Sequence, residues 1–502
     1  LSKVIQIAAN AVNAKLYNAS REISREVSNL LSYRVSGAEH SAAFKAQRWD
    51  GRSTFYDFKT GLFPAGFVHL VLQHLRQKGH TVQLVRKPFP APQGPKNPKV
   101  DNFPENPDYA YQLETVNKLV KHGQMVAQVA TGGGKSRICR LAVARIARMS
   151  LFITTRGVLM HQMKDAFEET TGRKVGVLGD GEWTPRRSVN VGMVQTLMSR
   201  LKIDEDATGA KLQRQIEVRN KTIKFLSMVE FVILEEAHEA GGNSYYEILR
   251  HCKNAHYRLS LTATPFMKDD EEANMRLMAC SGPVGIRISE KFLIDRGILA
   301  RPYFKYVELD PPAMLHRLLP WKDAYKVGIV ENEMRNRHIV WEAERAAQNN
   351  MPVMILVQQK KHGETLKKLL KERRISSEFI YGKHEQEERK EALQRLGSGK
   401  ISVLIGSTIL DVGVDVPAVG LVILAGGGKA EVALRQRIGR GLRRKKSGPN
   451  IALIVDFVDP GNTHLRKHAR ERRRIVESTD GFNEGILGKN EDFNFTELGL
   501  AA

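Results

Sequence analysis

The rhythm of apolar and polar positions changes along this chain, and the changes divide it. Up to about Val85, Ile23, Val27, Leu30 and Leu31 fall at helical spacing, and Phe67, Leu70, Val71 and Leu75 form a second helical stripe that Gly79 ends. Between them, Ser53 to Phe58 has strand composition with Asp50-Gly51 as a hairpin turn, and Thr81 to Val85 reads as a closing strand. A small α+β domain over residues 1–86 is predicted. Seven prolines then fall between Lys87 and Pro107. That composition works against regular structure and predicts a stiff, extended linker over residues 87–108.

From Tyr109 the rhythm becomes an alternation of short apolar runs with longer helical patterns, the signature of a parallel α/β sheet. Met125 to Val129, Leu151 to Thr155, Val189 to Met193, Phe231 to Leu234 and Arg258 to Leu261 are the predicted strands of a first lobe, residues 109–300. Pro302, Pro311 and Pro312 interrupt the alternation and predict a hinge-like connection over 301–312. A second series follows in residues 301–460, with strands at Val353 to Val357, Ser377 to Tyr381, Ile401 to Ile405, Val419 to Leu424 and Ile451 to Val455. Residues 461–502 form a basic tail, whose run from His464 to Arg474 reads as an exposed helix, serving phosphate binding or simple solvation.

The first lobe carries candidate chemistry at its strand ends. Gln128-Val-Ala-Thr-Gly-Gly-Gly-Lys-Ser136 lies between an apolar run and a helical pattern that places Ile138, Ala142, Ile146 and Met149 on one face and Arg137, Arg140, Arg145 and Arg148 on another. Strand, glycine turn and helix in that order make a phosphate cradle. Backbone N–H groups of Thr131, Gly132, Gly133 and Gly134 close on phosphate oxygens, Lys135 reaches the outer phosphates, and the Ser136 hydroxyl holds a magnesium ion. Taken alone the stretch reads equally well as a flexible turn, because Val129 stands where the strict pattern has its first glycine. Glu235-Glu236 follows a buried strand, where an α/β sheet places ligand chemistry. There the first carboxylate orients magnesium and the second polarises the attacking water. In the second lobe, Gln436-Arg-Ile-Gly-Arg440-Gly-Leu-Arg443 sets arginines at a spacing that lets them share a helix face and reach a phosphate held elsewhere.

Charge adds a partner. Seventy-eight Lys and Arg against 55 Asp and Glu leave +23 over 502 residues, an excess that points to a polyanion, nucleic acid first and anionic membrane surface second. Lys45, Arg48, Arg52 and Lys59 interleave with Trp49, Phe55 and Tyr56, a mixture suited to phosphate contact and base stacking, although the aromatics read better as core. Cys139, Cys252 and Cys280 have neither disulfide nor metal-ligand spacing, in keeping with a reducing, cytoplasmic setting. No apolar run approaches the about 18 residues of a membrane span, and the start carries no signal-peptide pattern.

Together, Ala130-Thr-Gly-Gly-Gly-Lys-Ser136, Glu235-Glu-Ala-His238, Thr262-Ala-Thr264, Thr408…Gly413…Asp415 and Gln436 to Arg443 resemble motifs I, II, III, V and VI of superfamily 2 DEAD/DEAH-like helicases, in order, over roughly Tyr109 to Phe457. Tyr111-Gln112 resembles the adenine-reading glutamine, Thr155-Arg156 motif Ia, and Gln195-Thr196 the adjoining DNA-contacting motif. Trp49-Asp-Gly-Arg52 and Leu62-Phe-Pro-Ala-Gly66 resemble the small DNA-binding domain of UvsW-type phage helicases, with XPB-type repair helicases the nearest competitors.

The resemblance implies two tandem RecA-like lobes behind a small α+β DNA-binding domain, with ATP and Mg2+ as cofactors. Lys135, Glu235, Glu236, Gln436, Arg440 and Arg443 would be catalytic. Gln112, residues 131–136, Gly413 and Asp415 would bind nucleotide, Ser136 and Glu235 the metal, and Arg48, Trp49, Arg52, Thr155, Arg156, Gln195, Thr196 and Thr408 nucleic acid. The implied activity is ATP-driven remodelling of branched DNA by a monomer that binds without reading sequence and with steep salt dependence. The family usually has Asp-Glu where this chain has Glu235-Glu236, a longer first carboxylate that can still reach magnesium, directly or through water. The alternatives are an RNA helicase, a double-strand translocase that does not unwind, and an ATP-gated DNA clamp with little turnover.

Overall fold

The computed structural model describes residues 4–102, 106–235, 243–264, 270–407, 419–428, 438–439, 442–445 and 448–500. The chain divides into two compact units, residues 1–130 with 134–288, and residues 131–133 with 289–502.

The first unit opens with β1 (Ile5–Ala9) and β2 (Asn13–Tyr17), followed by the short strands β3 (Ser32–Arg34) and β4 (Arg52–Thr54), then β5 (Leu62–Pro64) and β6 (Val82–Val85). One sheet runs β5-β2-β1-β6, and β3 pairs with β4. The helix Arg21–Leu30 starts where Ser20 Oγ accepts from the Ile23 N–H at 3.2 Å, and Val68–Gln77 ends before Gly79, whose φ of +85° suits glycine. The hairpin expected at Asp50-Gly51 is not a tight one. Gly51 does turn, at φ +79°, but β4 pairs antiparallel with β3, and the chain between them makes a helical excursion over Ala42–Lys45.

This region packs directly on the first lobe. Met275 and Ala279 of the helix Glu271–Ser281 join Phe63, Phe67 and Val71 in one core, and a Cβ built on Gly66 would lie 2.0 Å from the Met278 carbonyl oxygen. Only glycine permits that approach. An ion pair between Arg52 and Glu271 (3.2 Å) borders the contact. Being exposed, it adds at most about 1 kcal/mol, so the apolar packing dominates.

The proline-rich segment is likewise no free spacer. Its described residues 87–102 form no helix or strand, yet they lie along the helix Lys135–Ile146, whose arginine face holds them. Arg137 binds Asp101 at 2.9 Å, Arg140 the Val100 carbonyl, Arg145 the Gly94 carbonyl at 2.7 Å, and Arg148, just beyond the helix, the Ala91 carbonyl at 2.8 Å. Extended backbone that lacks a sheet must find donors elsewhere, and these guanidinium groups supply them. The segment is a strap.

The first lobe's sheet comprises β7 (Gln124–Val129), β8 (Ser150–Thr154), β9 (Gly176–Gly179), β10 (Glu182–Trp183), β11 (Val189–Met193), β12 (Phe231–Glu235), β13 (Tyr257–Thr262) and β14 (Val284–Ile288). Its order is β10-β9-β11-β8-β12-β13-β7-β14, parallel except at β10. Helices cover the central strands, which are therefore buried throughout, as Phe231–Glu235 and Tyr257–Thr262 are.

The second unit holds a six-stranded parallel sheet of β15 (Arg301–Glu308), β16 (Val353–Leu356), β17 (Ser377–Ile380), β18 (Val403–Gly406), β19 (Leu421–Ile423) and β20 (Ile451–Val458), ordered β15-β20-β19-β16-β18-β17. The predicted hinge over 301–312 is corrected here, since Arg301 to Glu308 is a strand in full register with Ile451 to Val458. Pro302 is tolerated because β15 lies at the sheet's edge, where a missing N–H costs no ladder bond. The basic tail is corrected too. The helix Thr463–Glu477 buries Leu465, Ala469, Arg472, Ile475 and Val476. Arg472 forms hydrogen bonds to both Asp456 carboxylate oxygens (2.9 Å each). Among the described residues, no helix is long and apolar enough to cross a membrane.

Candidate active site

In a parallel sheet all strands end at one edge, and the candidate residues of the first lobe gather there. β7 leads into the glycine turn, and Gly132 (φ +86°) and Gly134 (φ +78°) take a left-handed backbone closed to most side chains. Gly134 is the N-cap of Lys135–Ile146 and leaves that 12-residue helix end without a side-chain cap. A Cβ at Gly134 would fall 2.3 Å from Gln112 Nε2. A helix N-terminus without a side-chain cap, entered from a glycine turn, fits a phosphate group, so the residues present suit a nucleoside triphosphate.

Glu235 closes β12, two strands from β7. It is level with Leu261 of β13, which is level with Ala127 of β7. Its exposure is only 5%. Cys139, one turn into the glycine-turn helix, records the local electrostatics. Burial first and the Glu235 carboxylate second raise its thiol well above the usual range, while Lys135 pulls it down. The Glu235 carboxylate and the Lys135 ammonium thus act on the Cys139 thiol in opposite directions. Thr262 ends β13 and Thr264 follows at the same edge, with the Thr264 N–H donating to Thr262 Oγ1 at 3.2 Å.

Gln112 is almost fully buried and accepts from Arg137 Nη1 at 2.7 Å. Arg137 is in turn held by Asp101, so these three brace the glycine turn. Burial pushes the neighbouring Tyr111 hydroxyl up to about 12, against a smaller effect of its Gln112 hydrogen bond. Sequence reading placed Arg137 on the arginine face of its helix but assigned it no partner, because Asp101 lies 36 residues away.

The nucleic-acid candidates divide. Thr155 and Gln195 stand at the ends of adjacent strands, β8 and β11, and Gln195 Nε2 donates to the Thr155 carbonyl at 3.1 Å. Arg156 and Thr196 follow each of them, so this set is brought together on the edge that carries Glu235. Arg48 and Arg52 are exposed in the N-terminal region, with Trp49 half-buried and its indole N–H on the Arg52 carbonyl at 2.6 Å. Arg52 also donates to Ser32 and pairs with Glu271, so it helps hold the region to the lobe.

In the second unit, Arg443 does not continue a helix face as expected. It forms an antiparallel bridge with Leu299, and burial lowers its pKa from the ordinary value. Glu236, Thr408, Gly413, Asp415, Gln436 and Arg440 lie outside the described residues. Just ahead of the arginine motif, four successive carbonyls are each held by a side chain. Ala425 accepts from Arg335 (3.2 Å), Gly426 from Tyr325 (2.7 Å), Gly427 from Gln358 (3.0 Å) and Gly428 from Arg472 (2.9 Å). Asp459 and Asp456 pair with the two buried arginines. None of these was singled out by itself in the sequence, where they are scattered from Tyr325 to Arg472.

Comparison with known proteins agrees with this geometry. Residues 107–267 match the family described as type III restriction enzyme, res subunit, and residues 335–445 the helicase conserved C-terminal domain. The chain is 24% identical over 403 residues to the DNA 3'-5' translocase XPB2 of Sulfurisphaera tokodaii, covering 72% of this chain and 84% of that one. It is 21% identical over 486 residues to the ATP-dependent DNA helicase uvsW of Enterobacteria phage T4, covering 92% and 91%. A fragment of a putative HsdR subunit of a type I restriction enzyme from Vibrio vulnificus has the same fold, with a TM-score of 0.54 over 74% of this chain and 66% of that one at 17% identity.

The fold is thus two RecA-like parallel lobes behind a small α+β region, and the chain is a superfamily 2 helicase. Within that superfamily it resembles the UvsW-type phage helicases.

Proposed function

We propose that the chain is an ATP-hydrolysing DNA helicase or translocase that remodels branched DNA, migrating four-way junctions and reversing forks as a monomer. One observation carries this reading. The likeness to a relative named as an ATP-dependent DNA helicase runs through the N-terminal region as well as the motor, over 92% of the chain. The net charge of +23 supports a nucleic-acid partner held through phosphates.

In this mechanism the N–H groups of residues 131–134 bind phosphate oxygens, and Lys135 holds the outer phosphates, with Gln112 at the adenine. Magnesium, when bound, draws charge from the phosphate oxygens, and Ser136 and Glu235 are the residues that fit it. Glu236 takes a proton from the attacking water. Arg440 and Arg443 stabilise the transferred phosphoryl charge, with Gln436, Gly413 and Asp415 beside them. Thr155, Arg156, Gln195, Thr196 and Thr408 grip DNA phosphates without reading bases, and Arg48, Trp49 and Arg52 extend the grip.

The relative named as a DNA 3'-5' translocase favours a second reading, movement along duplex without unwinding. Steady-state ATPase activity with no nucleic acid, single strands, duplex, a four-way junction and RNA tests both. Greatest stimulation by the junction is expected, with Lys135→Ala lowering turnover at least about 100-fold through loss of a phosphate contact. Duplex stimulation equal to that of the junction would favour translocation alone. Stimulation by RNA alone would overturn the DNA reading.

A further inference from the structure

A crevice of about 570 Å³ lies between the N-terminal region and the first lobe, wholly within the first unit. Gln124 and Val284 open β7 and β14, and His256 precedes β13, so the crevice sits at the strand starts. The glycine turn and Glu235 sit at the strand ends, six residues of β7 away, or about 20 Å. It is therefore distinct from the triphosphate site.

Its lining is chemically one-sided. Arg86, Lys87 and Lys253 contribute three cations, and His69, His122 and His256 three imidazoles, without any aspartate or glutamate. The strap supplies Phe89, whose ring is fixed against Tyr257 at a centroid distance of 5.9 Å. Gly123 admits that ring, since a Cβ there would lie 2.4 Å from Phe89 Cζ. The Arg86 guanidinium stands over the same ring at 4.2 Å, which fixes a flat cation in the crevice. Burial first, then Lys121, His69 and Arg86, hold His122 below the ordinary histidine range. The remaining wall is apolar, with Leu72, Leu84, Val68 and Val284. Gln124 donates from Nε2 to the Ala11 carbonyl at 2.9 Å, while its Oε1 is buried without a hydrogen-bond partner.

We propose that this crevice binds a nucleotide unit, with its phosphate on Arg86, Lys87 and Lys253 and its base against the apolar wall. Its volume falls within the about 300–1,000 Å³ of small-molecule sites. A bare phosphate would leave the apolar half uncovered, and an apolar ligand would leave the cations unmatched. A nucleotide satisfies both, and it is either a free mononucleotide or the phosphorylated end of a strand.

Calorimetry on the full chain tests this independently of the motor reading, with the glycine turn first saturated by a non-hydrolysable ATP analogue. The probes are dTMP, thymidine, and a ten-residue oligothymidylate with or without a 5'-phosphate. The variants are Arg86→Ser/Lys253→Ser, which removes charge, and Leu72→Trp, which fills the crevice. Either dTMP binds the unaltered chain at least tenfold more tightly than thymidine does, or the 5'-phosphate tightens oligonucleotide binding by that factor. Both variants should abolish the gain while ATPase activity stays within twofold, so a folding defect is distinguished from a lost site. A gain with dTMP alone identifies a free nucleotide as the ligand, and a gain with the 5'-phosphate identifies a strand end. Absence of any phosphate gain, or a gain that persists in both variants, would overturn the proposal.

Discussion

At the scale of single residues, burial does as much as identity. His362 is fully buried with Nε2 2.8 Å from Asn336 Oδ1, and burial, then Arg335, push its imidazole down to about 3 from 6.5. Between those values the unfolded chain takes a proton that the folded chain refuses. The contribution to stability is whole above about pH 6.5 and falls by about 1.4 kcal/mol for each pH unit below it. Denaturant melts of the second unit at pH 7 and pH 5 should therefore show a loss that His362→Gln reduces. An identical loss in that variant would contradict the neutral buried imidazole. Lys135, Glu235 and the glycines were legible in the sequence because their chemistry resides in residue type and order. The burial of His362, the bracing of Gln112 by Arg137 and the pairing of Arg472 were not, because each depends on a partner distant along the chain.

At the scale of elements, strand positions were legible from apolar runs, since a buried parallel strand has little else to be. The errors fell where composition had two structural outcomes. Proline at 302 signalled a break, but an edge strand accommodates it. The arginine-rich run from His464 looked solvated, but its helix turns Arg472 inward to Asp456, with side chains 3% and 5% exposed. Arg472→Met should cost about 3–5 kcal/mol, because it strands a buried carboxylate. Tyr325→Phe, which removes one neutral hydrogen bond to Gly426, should cost about 1 kcal/mol. Urea unfolding of the two variants checks the difference, and equal costs would contradict a charged clamp. The strap makes a parallel case. Arg140→Ala with Arg145→Ala removes two of its carbonyl contacts, so limited proteolysis should cut within residues 87–102 several times faster than in the unaltered chain. An unchanged rate would mean that these two arginines do not hold the segment.

At the scale of the whole molecule, the chain joins two parallel α/β units and a docked N-terminal region, with an excess of 23 positive charges that suits a polyanionic partner. The order of the motifs was enough to read its class, because phosphate cradle and acidic strand end must lie at the same end of one sheet to act on one ligand, and here they end strands two places apart. The docking of the N-terminal region was not readable, since it depends on Gly66 meeting the backbone of a helix more than 200 residues later. The central claim, ATP-driven remodelling of branched DNA, is tested most directly with a four-way junction whose arms are homologous. Incubated with the protein, ATP and magnesium, the junction should resolve into two linear duplexes, and it should persist with Lys135→Ala or without ATP. A junction left intact by protein that hydrolyses ATP on the same DNA would contradict the claim.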